Sequence, residues 1–90
     1  MNATTKKSCQ TRLRRIEGQV RGIGQMIEGD RYCIDVLTQL LAVKAALKQV
    51  EDEILKDHIS HCVANAILSG TDEARNEKID ELLDMLARSR

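Results

Sequence analysis

The stretch "HISHC", His58 to Cys62, gathers both histidines and one of the three cysteines of a 90-residue chain into five residues. Imidazole and thiolate are soft donors. In a chain this poor in both, such a cluster points to a metal site or a reactive thiol. On a helix, His58 and Cys62 lie four apart and share a face, whereas His61 points elsewhere. Two donors on one face cannot close a metal site. A further ligand has to come from another part of the fold.

The elements that carry these residues read as helices. The chain is 42% apolar but has no Phe, no Trp and a single Tyr, so its core must be built from Leu, Ile, Val, Ala and Met. It has no Pro and only five Gly, which favours long uninterrupted helices. Leu13, Ile16, Val20, Ile23 and Ile27 step by three and four, the face of one amphipathic helix, with Arg12, Arg14, Arg15 and Arg21 outside the stripe. Gly29-Asp30 breaks it. Cys33, Val36, Leu40, Val43, Leu47, Val50 and Ile54 repeat the spacing with no Gly or Pro until Gly70. That predicts a helix of roughly 35 residues, on the order of 50 Å long. After Ser69-Gly70, Thr71 is an N-cap followed by Asp72 and Glu73, where acids suit the helix dipole. Ile79, Leu82, Leu83 and Leu86 give a third apolar face. The expectation is an all-α chain of three helices, one domain over residues 1–90. No strand pattern and no helix-turn-helix is evident.

A helix that long cannot be covered by neighbours of about 24 and 16 residues, and its stripe asks for partner helices. An obligate oligomer follows, most simply an antiparallel helical dimer. That also supplies the missing ligand. Within one chain, Cys33 would stand about 37 Å from His58 and about 43 Å from Cys62 along the helix. In an antiparallel pair, Cys33 of one chain faces His58 and Cys62 of its partner, and the two-fold axis makes two such sites. Two thiolates and one imidazole suit Cu(I); Zn(II) usually seeks a fourth ligand. The competing reading is structural: Cys33 lies on the apolar stripe and serves there as a small hydrophobe, and a histidine near a helix end partners the dipole.

Charge is balanced overall and uneven along the chain. Residues 1–31 hold seven Lys/Arg against three acids, +4, and residues 32–90 seven against eleven, −4. The basic third is either a surface facing a polyanion or a solvated helix face. No apolar run approaches the roughly 20 residues needed to span a membrane. Three cysteines without an apolar leader pattern place the expected site of action in the cytoplasm, with thiols or metal ligands rather than a disulfide framework.

Nearly the whole chain resembles the copper-sensitive operon repressors, the CsoR branch of the CsoR/RcnR family of bacterial transcription regulators. "RLRRIEGQVRGI" (12–23) is similar to the family's first-helix signature, "RYCIDVLTQLLAVKAAL" (31–47) to the opening of its second helix, and "HISHC" to that helix's end. The resemblance implies a disc-shaped tetramer, a dimer of antiparallel dimers, that represses a promoter until its effector releases it from DNA. It implies Cys33, His58 and Cys62 as Cu(I) ligands, with Tyr32 and Glu81 behind them, hydrogen-bonding toward the imidazole. Arg12 matches a basic position of the DNA-contacting helix. Arg14, Arg15 and Arg21 share that helix, and Lys44 and Lys48, four apart, extend the patch by spacing alone.

Ligand types separate the branches of this family. Nickel and cobalt sensors add N-terminal histidines, and this chain has no His before His58. Formaldehyde sensors lack the Cys62 equivalent, and persulfide sensors lack the His58 equivalent. Cys9 departs from the copper set; it reads as a free thiol in the first helix turn, although some persulfide-sensing relatives carry an extra thiol in this region. His61 has no assignable role. The expected function is a Cu(I)-responsive, non-catalytic repressor of double-stranded promoter DNA. The alternative on the same architecture is a thiol sensor joining Cys33 and Cys62 between chains. A nucleophilic enzyme lacks an oxyanion hole and a pocket-forming loop, and a metal chaperone would have no use for the basic first helix.

Overall fold

Asn2 sets the first helix. Its backbone is extended (φ −73°, ψ 163°), and its side-chain oxygen accepts a hydrogen bond from the Thr5 N–H at 2.8 Å, satisfying one of the donors that a helix start leaves unpaired. The computed structural model describes residues 1–69 and 71–88, with the side chains of Val63, Ala66, Ile67 and Ser69 excepted. It contains α1 (Ala3–Glu28), α2 (Cys33–Ser69) and α3 (Asp72–Arg88), of 26, 37 and 17 residues. The all-helical expectation holds, each helix slightly longer than the expected length of about 24, 35 and 16 residues. The break expected at Gly70 lies outside the described residues. Among them, no helix is long and apolar enough to cross a membrane.

The α1 terminus is closed by two hydrogen bonds, Asp30 N–H to Ile27 O at 3.1 Å and Arg31 N–H to Met26 O at 2.9 Å. The left-handed residue that such a cap needs is Asp30 (φ 54°), not Gly29. Gly29 serves close approach instead: a Cβ there would come within 3.3 Å of the Gln25 carbonyl oxygen. The Tyr32 carbonyl then accepts from the Asp35 and Val36 N–H groups and opens α2. The four residues between α1 and α2 make a connection as short as that of a helix-turn-helix. The helices it joins nevertheless run antiparallel side by side, as an αα-hairpin.

The chain divides into two compact units, Met1–Asp57 and His58–Arg90. In the first, α1 and the greater part of α2 pack in register. Asn2 bonds Asp57, Ser8 bonds Glu53 and Arg12 bonds Gln49, so the α2 partner recedes as α1 advances. The buried core is Cys9, Ile16 and Ile23 from α1 with Val43 and Val50 from α2, flanked by Val36 and Ala46. These buried residues recur every seven positions on each helix, the period of helices packed along their length. Cys9 therefore sits in the second turn of α1 as a core residue, not in the first turn. Only half of each expected apolar stripe is covered. Leu13, Val20 and Ile27 remain 44%, 52% and 61% exposed, and Leu40, Leu47 and Ile54 are exposed on α2.

The second unit holds the end of α2 and α3. The Thr71 carbonyl accepts from Arg75 N–H, and Asp72 and Glu73 occupy the first turn as expected. Ion pairs Arg75–Asp72, Lys78–Glu81 and Arg88–Asp84 lie three or four residues apart on α3. Its apolar residues Ile79, Leu83, Met85 and Leu86 are exposed, and α3 has no buried residue among those described.

Candidate functional site

His58 and Cys62 stand one helical turn apart on α2, as their spacing requires, with Nε2 and Sγ 3.3 Å apart. Both side chains are half-buried. A thiol and an imidazole converging at that distance are two soft donors already aimed at one point. Cys33, the first residue of α2, is exposed and its thiol is free of any disulfide, as are those of Cys9 and Cys62. Among the described residues of one chain, no three His, Cys, Asp or Glu side chains gather into a metal-holding group. The donor pair fits a soft metal that takes a third ligand from outside the pair. His61 is exposed.

Tyr32 precedes Cys33 and is 69% exposed, its carbonyl serving the start of α2. Glu81 is exposed on α3 with its carboxylate 3.7 Å from Lys78 Nζ.

The basic residues fall into distinct surroundings. Thr4, Lys7, Ser8, Thr11, Arg12 and Arg15 line an open groove along the first turns of α1, a row of hydroxyl and cationic donors. Arg12 projects toward α2, with Nη1 2.9 Å from Gln49 Oε1 and Nε 3.4 Å from Glu53. Arg14 and Arg21, seven apart and exposed, share the face turned away from the core; Arg21 pairs with Glu17 at 3.3 Å. On α2, Lys44 is exposed, and Lys48 lies 3.0 Å from Asp52 and 3.9 Å from Glu51. The Asp52 hydrogen bond and charge raise the Lys48 pKa. Arg12, Arg21 and Lys48 thus carry acids of their own, whereas Arg14, Arg15 and Lys44 present charge outward.

Several residues that shape these surfaces do not stand out in the sequence. Buried Asp57 accepts from Asn2 Nδ2 at 2.8 Å and fixes the start of α1 to α2 at the residue before His58. Glu53 gathers Ser8, Cys9 and Arg12. Burial, then the Glu53 hydrogen bond and charge, push the Cys9 thiol above its ordinary 9.0, so it stays protonated. The period of seven through Val36, Val43 and Val50 lands on Asp57 and is the one signal that marks it as a core position.

A family model described as metal-sensitive transcriptional repressor matches residues 5–88. The chain belongs to the metal-sensitive transcriptional repressors. Among curated relatives of this repressor, the copper-sensing transcriptional repressor CsoR of Bacillus subtilis (strain 168) is 53% identical over 83 residues, covering 92% of this chain and 79% of the relative. The copper-sensing transcriptional repressor RicR of Mycobacterium tuberculosis (strain ATCC 25618 / H37Rv) is 57% identical over 65 residues, covering 72% and 68%. Among solved structures, the copper-sensing repressor CsoR with Cu(I) from Geobacillus thermodenitrificans NG80-2 superposes with a TM-score of 0.86 at 42% identity, covering 98% of this chain and 88% of that one. The family is regulatory rather than catalytic, in agreement with the expected absence of enzyme activity.

Proposed function

We propose that the repressor responds to Cu(I). In its metal-free form it holds double-stranded promoter DNA in the cytoplasm, and copper at an intersubunit Cys33–His58–Cys62 site releases it. The carrying observation is the convergence of His58 Nε2 and Cys62 Sγ at 3.3 Å on one helix, with the remaining soft donor, Cys33, at that helix's first residue. Residues 1–90 act as one sensing and DNA-binding domain. The uncovered halves of the α1 and α2 stripes support an antiparallel dimer, and pairing of dimers into a disc-shaped tetramer covers the apolar face of α3. The copper-sensing relatives support the choice of metal.

Each residue has a distinct part in this reading. Cys33 and Cys62 bind as thiolates, so binding sheds protons and weakens as pH falls. Bound Cu(I) supplies a soft cationic centre that favours those thiolates and a neutral imidazole. His58 keeps one ring nitrogen for the site and offers the other to Tyr32 or Glu81, a hydrogen bond that ties occupancy to helix position. Arg12, Arg14 and Arg15 on α1, with Arg21, Lys44 and Lys48 at the margins, face the phosphates.

The test is an anaerobic Cu(I) titration of the repressor bound to DNA from upstream of its own gene. Release complete near one copper per chain is the expected result. Release by sulfane sulfur and not by copper would replace this reading with the thiol sensor.

A further inference from the structure

Two residues that line the basic groove of α1, Ser8 and Arg12, are held by an acid that the proposed function does not use. Glu53 reaches over from α2, accepts the Ser8 hydroxyl at 2.9 and 3.1 Å and the Cys9 thiol at 3.6 Å, and pairs with Arg12 Nε at 3.4 Å. Gln49, one turn earlier, takes Arg12 Nη1 at 2.9 Å. A guanidinium offers two bidentate edges to a phosphate. Here one nitrogen of each edge is already engaged, while the Arg12 side chain remains 40% exposed. The other carboxylate contacts are neutral donors, Ser8 and a protonated Cys9, so they fix Glu53 without cancelling its charge.

We propose that Glu53 is a built-in rival of the DNA phosphate for Arg12: it orients the guanidinium and subtracts one unit of charge from the DNA-facing groove. The inference rests on the reading of this chain as a DNA-binding repressor with α1 against the duplex. A phosphate approaching Arg12 comes well within a screening length of about 8–10 Å from the carboxylate. It must displace the carboxylate or tolerate the repulsion. Binding is thereby held below what the groove's cations would give, and sequence-independent binding, which is almost wholly electrostatic, is affected most.

The experiment measures binding of the full chain to a mixed-sequence duplex and to its own upstream DNA at several salt concentrations. Glu53→Gln keeps an oxygen for Ser8 and Arg12 and removes the charge. It should bind the mixed duplex roughly three- to tenfold more tightly at low salt. Its salt dependence should steepen by up to about 0.9 in log–log slope. The gain should shrink when Arg12 is already Ala. Gln49→Glu, which adds an acid at Nη1, should do the reverse, weakening binding and flattening the slope; it carries the test by itself if circular dichroism shows Glu53→Gln unfolded. Unchanged or weaker binding by a folded Glu53→Gln, a gain that persists in full without Arg12, or a Gln49→Glu that binds as wild type would overturn the proposal. Failure of the wild type to bind either duplex would instead overturn the repressor reading on which it rests.

Discussion

The two units of the chain are built on different terms. Residues 1–57 are joined across helices by buried apolar residues and by polar clasps, Asn2 to Asp57 and Ser8 and Arg12 to Glu53. Residues 58–90 carry His58 and Cys62, have their α3 ion pairs between residues of one helix, and expose Ile79, Leu83, Met85 and Leu86. One unit supplies its own cohesion. The other carries two of the proposed ligands and an exposed apolar face on α3, which the proposed assembly would cover. The residues proposed to face DNA sit in the first unit and two of the three proposed ligands in the second, an arrangement suited to a sensor whose input completes a structure and whose output is a stable surface.

Removing a thiolate should have the largest effect. Cys33→Ala and Cys62→Ala should each lower Cu(I) affinity by several orders of magnitude in an anaerobic competition titration, because too few soft donors remain. His58→Ala should keep part of its affinity, since two thiolates hold Cu(I) linearly, yet stay on DNA when copper is added. A His58→Ala protein that releases DNA normally would remove the imidazole from the coupling.

Next comes the contrast between cores. Ile16→Ala, at a position 6% exposed, should cost about 2–4 kcal/mol in denaturant unfolding. Leu83→Ala, at 58% exposed, should act on oligomer dissociation, visible as a concentration-dependent shift in sedimentation. Equal effects of both on a concentration-independent midpoint would erase the distinction between the units. Asn2→Ala removes the α1 cap and the side-chain bond to Asp57, leaves the backbone N–H bond to Asp57, and should cost about 1 kcal/mol.

The smallest effect concerns pH. The raised Cys9 pKa means its neutral form is favoured in the fold, so the associated stability is full below about 9 and is lost as pH rises through the folded value. Cys9→Ser should flatten that alkaline decline, and alkylation of Cys9 should be far slower than that of exposed Cys33. Equal alkylation rates would show the α1–α2 core to be open.

The long second helix was legible because nothing between Cys33 and Gly70 interrupts it. The pairing of His58 with Cys62 was legible because spacing on a helix fixes it. What sequence periodicity could not divide was each stripe into its two halves. Leu13 and Ile16 fit the same pattern, yet one faces solvent and the other α2, because the choice depends on the rotation of one helix against the other. Cys9 lies one step of four before Leu13 and extends the same stripe, but a thiol among Lys, Ser and Gln does not read as apolar until its burial beside Ile16 shows it. Glu53 and Gln49 are unremarkable polar residues until the register of the hairpin sets them opposite Arg12.

The central claim, that the metal site is made between chains, is tested most directly by complementation. Chains carrying Cys33→Ala are coexpressed with chains carrying Cys62→Ala, and the mixed assembly is isolated with two different affinity tags. In an antiparallel pair, one site then loses both thiolates and the other is intact. Tight Cu(I) binding should reappear in the mixed assembly, at one site per mixed pair, although each variant alone has none. A mixed assembly that binds copper no better than its parents would contradict a site shared between Cys33 of one chain and His58 and Cys62 of the other.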